Sequence, residues 1–153
     1  MIKNWHALEG QILAHCKARM AHYAVFVHRL SDTRSAGAII AAQPSDFIIL
    51  SQMGRATFLE AKFSAGHDSL RSCFSGSVSA QQLASARLVE RANRTYLFLF
   101  YSQPAQMFEL WPGIYCAECR SHGKRLELDK RIVVGASLAE ILDVHVLKLK
   151  TFL

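Results

Sequence analysis

Apolar residues recur at spacings of three and four from the start of the chain. Trp5, Leu8, Ile12, Leu13, Cys16 and Met20 fall on one side of a helical wheel, so residues 5–23 are predicted to form an amphipathic helix that Gly10 weakens slightly. At ~100° per residue, Glu9 falls near the middle of that apolar stripe. A carboxylate there needs a reason: a function, or a basic partner at the helix edge such as Arg29 or Lys62. The pattern then turns to strands. Residues 24–30 are β-branched and aromatic and lead into a polar loop at 31–37; residues 45–51 and 55–64 read as two further strands, joined by Gln52-Met53-Gly54 as a hairpin turn. Residues 64–78, dense in serine and glycine, read as the one long loop, a candidate for binding or for mobility. Ser79 opens a second helix over 80–92 with the Ser-x-x-Gln capping box completed by Gln82; Leu83, Ala86 (or Ala84), Leu88 and Val89 make its buried side. Residues 94–101 are nearly all apolar, as in a strand covered on both faces, and Pro104 ends it. A short strand at 107–111 precedes Pro112-Gly113, residues 116–130 read as irregular and basic, and 137–146 form a last helix capped by Ser137. The order α-β-β-β-α-β-β-α, with no internal repeat or domain boundary, predicts an α/β fold: a mixed β-sheet flanked by helices.

Composition narrows the class. The 153 residues, 51% hydrophobic and 20% charged, suit one globular domain spanning 1–153. The longest apolar runs, at 96–101 and 132–134, are strand-length and far short of the ~18 residues of a membrane span. The N-terminus has no apolar signal core, so a cytoplasmic location is expected, or the host-cell cytoplasm for a viral protein. The net charge of +6 favours an anionic partner such as nucleic acid. Cys16, Cys73, Cys116 and Cys119 then read as reduced thiols or a metal clip. Cys116-Ala-Glu-Cys119 with His122 supplies only part of a zinc site, so zinc is disfavoured against a pair of thiols in a turn. No glycine-rich phosphate loop or nucleophile elbow supports nucleoside-triphosphate or serine-hydrolase chemistry.

The strongest constellation is Pro44-Ser45-Asp46, with Glu60-Ala61-Lys62 fourteen residues on from Asp46. On adjacent strands of a hairpin, Asp46 and Glu60 come side by side. Two carboxylates sharing a site repel unless a cation neutralises them, and hard oxygen ligands with room for water suit Mg2+, with Mn2+ as a substitute. Lys62 lies on the same sheet face as Glu60, ~7 Å along the strand, where its ammonium can orient water or stabilise a phosphate. Ala61 points the other way, yet its carbonyl can reach a metal. The alternative for this pair is a solvated surface hairpin, and for Gln82 a capping role alone.

This pattern resembles the Pro-Asp…(Asp/Glu)-x-Lys motif of the restriction-endonuclease-like nuclease superfamily. In setting it is most similar to the Holliday junction resolvases of the RecU and archaeal Hjc type. The likeness covers about residues 5–102, leaving a basic C-terminal extension at about 103–153. It implies that Glu9 helps Asp46 and Glu60 build the metal site, that Gln82 lies near the catalytic centre, and that Arg34 and Ser35 sit in the loop before the motif. Ser45, which separates Pro44 from Asp46, departs from the pattern. The resemblance implies a Mg2+-dependent DNA endonuclease that cuts four-way junctions as a homodimer, with Lys62 positioning water or stabilising charge.

Basic residues suit a phosphate backbone. Arg29, Arg34, Arg55 and Arg71 lie in or beside loops around the proposed site, and Lys124, Arg125, Lys130 and Arg131 form a second cluster with Trp111 and Tyr115 just before it. Phe108, Trp111 and Ile114 are candidates for a dimer surface. Three alternatives stay open: a flap, single-strand or repair nuclease of the same superfamily; a non-catalytic DNA-binding module; and a small zinc-stabilised interaction protein.

Overall fold

The structure, a computed structural model, describes residues 2–30 and 43–149. Helix α1 (Trp5–Met20) leads into strands β1 (Phe26–Arg29), β2 (Phe47–Leu50) and β3 (Ala56–Ser64). Helices α2 (Leu70–Ser77) and α3 (Ala80–Arg91) then carry the chain across to β4 (Thr95–Ser102) and β5 (Met107–Pro112). Helix α4 (Gly113–Ser121), β6 (Val133–Gly135) and α5 (Leu138–Ile141) complete the described elements. The strands form a single six-stranded sheet in sequence order. Every neighbouring pair is antiparallel except β3 and β4, which run parallel because α2 and α3 provide the crossover.

The period-2 alternation of β4 divides the core. Leu97, Leu99 and Tyr101 face a layer containing Leu8, Ile12 and Cys16 of α1 together with Ile141 and Leu142. Tyr96, Phe98 and Phe100 face the opposite layer, built by Leu70 and Phe74 of α2, Leu83 and Ala86 of α3 and Cys116 of α4. β4 is thus covered on both faces, as its sequence predicts. Among the described residues no helix is long and apolar enough to cross a membrane.

The predicted order survives with three additions: α2, α4 and β6. Residues 64–78 are not one long loop. Ser69 caps α2 by accepting from the Arg71 N–H at 3.2 Å, and burial of Leu70 and Phe74 one turn apart overrides the poor helix propensity of serine and glycine. The start of α2 is anchored by Glu109 of β5, only 2% exposed, which accepts from Leu70 N–H at 3.2 Å, Ser69 Oγ at 3.1 Å and Trp111 Nε1 at 2.7 Å, and pairs with Arg131. Likewise, 116–130 is not wholly irregular. Cys116, Ala117 and Cys119 form the buried stripe of α4, and a 3-10 turn spans Leu128–Lys130. The last predicted helix is short and widens at Leu142–Val146 into a π turn, closed by the Leu147 N–H on the Leu142 carbonyl at 2.7 Å.

Two expectations about exposure are corrected. Leu88 lies on the outer face of α3, 58% exposed, while Leu83, Ala86 and Val89 are buried. Phe108 and Trp111 are core residues, because β6 and α4 cover β5; they cannot form a dimer surface, and Ile114 is only half-buried.

Candidate active site

The register of the β2–β3 hairpin sets the site. Phe47 pairs with Leu59 at the end of the ladder, so Asp46 falls one step beyond it, opposite Glu60. There the ladder is replaced by a side chain: Asp46 Oδ2 accepts from the Ala61 backbone N–H at 2.8 Å. The Asp46 carbonyl accepts from Leu30 N–H at 2.8 Å, tying the segment to the end of β1. Ser45 Oγ donates to the Phe47 carbonyl at 2.8 Å and the Tyr96 hydroxyl donates to the Pro44 carbonyl at 2.6 Å, so Pro44-Ser45-Asp46 is held from both sides. Burial, aided by the charges of Glu60 and Asp46, pushes the Tyr96 phenol up and keeps it a donor.

Glu60 is 7% exposed. Its Oε1 accepts from Gln82 Nε2 at 2.6 Å and lies 3.2 Å from Lys62 Nζ; no described residue donates to Oε2. Burial first, then the neighbouring Asp46 charge, raise its carboxyl from the ordinary 4.5 to about 7, against the opposing pull of Lys62. Glu9 adds a smaller push in the same direction.

Glu9 is buried at 5% exposure within the α1 stripe, and Arg29 Nη2 donates to its Oε2. The helix-edge partner considered from sequence is therefore present, and Glu9 still lines the cleft. Gln82 likewise fills two roles at once: its Oε1 accepts from the Ser79 N–H at 3.0 Å in the capping box while its Nε2 reaches Glu60. The cleft holds about 330 Å³ and is lined by Trp5, Glu9, Asp46, Glu60, Lys62 and Ser77 among others. Sequence reasoning missed Trp5 and Ser77 as cleft residues. The helical period puts Trp5 in the buried stripe, but as the first helical residue it is 45% exposed and stands at the rim. Ser77 ends a helix that the sequence did not reveal.

The predicted basic residues separate into groups. Arg29 is at the cleft, paired with Glu9. Arg34 and Ser35 lie outside the described residues. Arg55 is not beside the site; it precedes β3 at the far end of the sheet, ~17 Å along the strand from Glu60, and lines another cavity with Thr57, His145 and Lys148. Arg71, Lys124 and Arg125 converge on a separate recess between α2 and the end of α4. Cys116 and Cys119 pack into the core on α4, and His122 stands at its exposed C-terminus. Among the described residues no three His, Cys, Asp or Glu side chains form a ready-made cation cage. The carboxylates that line the cleft are Asp46, Glu60 and Glu9.

No protein-family model matches the chain, and no curated protein matches it in sequence. A solved structure does match: that of Hjc from Archaeoglobus fulgidus, a Holliday junction resolvase from an archaeal hyperthermophile. The match covers 90% of this chain and 97% of that chain with a TM-score of 0.52 at 10% sequence identity. The mixed sheet flanked by helices is thus a fold that this chain shares with that structure.

Proposed function

We propose that this protein is a divalent-cation-dependent DNA endonuclease, with the four-way junction as its preferred substrate. The observation that carries this reading is the juxtaposition of Asp46, Glu60 and Lys62 in an open cleft. Burial first, and then the Asp46 charge, raise Glu60 to about 7 against the pull of Lys62, and the two adjacent carboxylates are a donor set of hard oxygens that fits Mg2+, with Mn2+ as a substitute. Asp46, Glu60 and the Ala61 carbonyl would hold the ion, with Glu9 supporting from α1. When bound, it supplies Lewis-acid polarisation of the phosphoryl group and water activation.

The chain's own residues do the rest. The Ala61 N–H fixes one oxygen of Asp46, and Gln82 and Lys62 together fix Oε1 of Glu60, so both carboxylates are held before substrate arrives. The Lys62 ammonium is mostly buried and faces the same cleft, where it stabilises the charge that builds on a phosphate under attack. A junction with two-fold symmetry is met most simply by a homodimer that presents one cleft to each of two opposed strands. An inactive DNA-binding module would have no use for a costly buried acid held by an amide and an ammonium.

The test compares cleavage of a four-way junction with linear and flapped duplexes, with Mg2+ and with EDTA. Junction cleavage that disappears in EDTA supports the proposal, as does a fall of at least ~10²–10³-fold in Asp46→Asn and Glu60→Gln with DNA binding intact or stronger. Equal rates on all substrates would remove the resolvase reading in favour of a flap, single-strand or repair nuclease. Wild-type rates in either variant would refute the site.

A further inference from the structure

We infer that the recess between α2 and the turn after α4 grips backbone phosphates of the DNA on one side of the scissile bond. This rests on the endonuclease reading and adds a second, built anion site to it.

The recess, about 290 Å³, is lined by Arg71, Ser72, Ser75, Arg120, Lys124 and Arg125, and no acidic side chain lines it. None of the ion pairs among the described residues uses Arg71, Lys124 or Arg125. Arg71 Nε is buried with no hydrogen-bond partner, an unmet donor at the wall of a cationic hollow. Arg120 plays a different part. It donates to the carbonyls of Val78 at 3.0 Å and Phe74 at 3.4 Å and stacks over the Phe74 ring at 4.8 Å, bracing α2 against α4.

The turn that brings the other cations in is specific. Gly123 sits at φ +61, the Lys124 N–H reaches the Cys119 carbonyl at 2.8 Å and the Gly123 N–H the Arg120 carbonyl at 3.3 Å, the Schellman closure of α4. It folds Lys124 and Arg125 back to the side facing α2. Sequence positions some fifty residues apart thus deliver their charge to one place.

Helix α2 links this recess to the cleft. Ser77 lines the cleft and Arg71 lines the recess, six residues apart and therefore separated by ~9 Å of helix. Successive phosphates on one strand advance ~3.4 Å along a duplex axis and lie further apart than that through space, so a span of ~9 Å is covered within three phosphates of the cleft. A polyanion whose charges repeat at that interval can occupy both sites with one strand; a single small anion cannot.

The test uses a four-way junction and DNA binding in EDTA, followed by anisotropy across a salt titration. Single phosphates one to four positions from the cut, on each side, are replaced by neutral methylphosphonates. In the wild type, neutralising one of the first three phosphates on one side only should weaken binding. In Arg71→Ala/Lys124→Ala/Arg125→Ala, the same replacement should have no further effect, and the salt slope should fall by ~2–3 units. In Mg2+, KM should rise by a larger factor than kcat falls. An unchanged salt slope, or a methylphosphonate penalty that persists in full in the triple variant, overturns the recess while junction cutting by the wild type keeps the nuclease reading. A protein that neither binds nor cuts DNA overturns both.

Discussion

Replacing Glu60 with glutamine should stabilise the cation-free protein at pH 8 while abolishing its activity. The carboxyl is raised from 4.5 to about 7, a difference of about 2.5 units, mainly by burial and by the charge of Asp46. At ~1.36 kcal/mol per unit this amounts to ~3 kcal/mol. Between 4.5 and 7 the native protein holds a proton that the unfolded chain has released, so stability falls as pH rises through that window and the whole cost is present above it. Glutamine carries no charge, and its amide oxygen can still accept from Gln82 and Lys62. The advantage of the variant should therefore grow from near zero at pH 4 to ~3 kcal/mol at pH 8, or ~2–4 °C in Tm per kcal/mol. Urea unfolding in EDTA at pH 4.5, 6 and 8, followed by far-UV circular dichroism, measures it. Parallel stability curves for the two proteins, or a less stable variant at pH 8, would refute the account of Glu60 as a buried, repelled charge. Mg2+ should narrow the gap at pH 8 by stabilising only the wild type.

Two further outcomes follow from packing and from buried charge. A Cβ at Gly113 would lie 2.7 Å from Tyr96 Cδ1 and 2.8 Å from the Tyr96 carbonyl, so Gly113→Ala should cost ~1–3 kcal/mol in thermal or urea unfolding. Because Tyr96 holds Pro44, the same substitution should also lower cleavage. Glu109→Ala strips a common acceptor from Ser69, Leu70, Trp111 and Arg131 and should cost ~3–5 kcal/mol, whereas Glu109→Gln, which keeps an acceptor oxygen, should cost less.

The parts of the site carried by local pattern were legible in the sequence. A hairpin fixes its own register, so Asp46 could be set opposite Glu60 from spacing alone. The helical period placed Glu9 on the buried side of α1, and the capping box placed Gln82 at the start of α3. What escaped depends on distant partners. α2 is a helix because Glu109 and the core under Leu70 and Phe74 make it one, and nothing in its serine-rich sequence announces those contacts. β6 is three residues long, too short for a periodic signal. β6 and α4 cover β5, so Phe108 and Trp111, apolar candidates for a dimer surface, are buried in the core. Arg55 is near the site in sequence but not in space, because β3 carries the chain from Arg55 at one end of the sheet to Glu60 toward the other.

The parallel pairing of β3 with β4 sets an order in which the molecule can assemble. Asp46 and Glu60 meet through a hairpin whose paired residues are close in sequence, whereas Thr57 pairs with Thr95 only after two helices have been laid across the sheet. Local closures precede non-local ones on entropic grounds. The hairpin alone brings the two carboxylates together, and the Gln82 amide and the Tyr96 clamp on Pro44 arrive only with the crossover. The hairpin brings its own Lys62 ammonium and Ala61 N–H to the two carboxylates, and the crossover adds the Gln82 amide to Glu60.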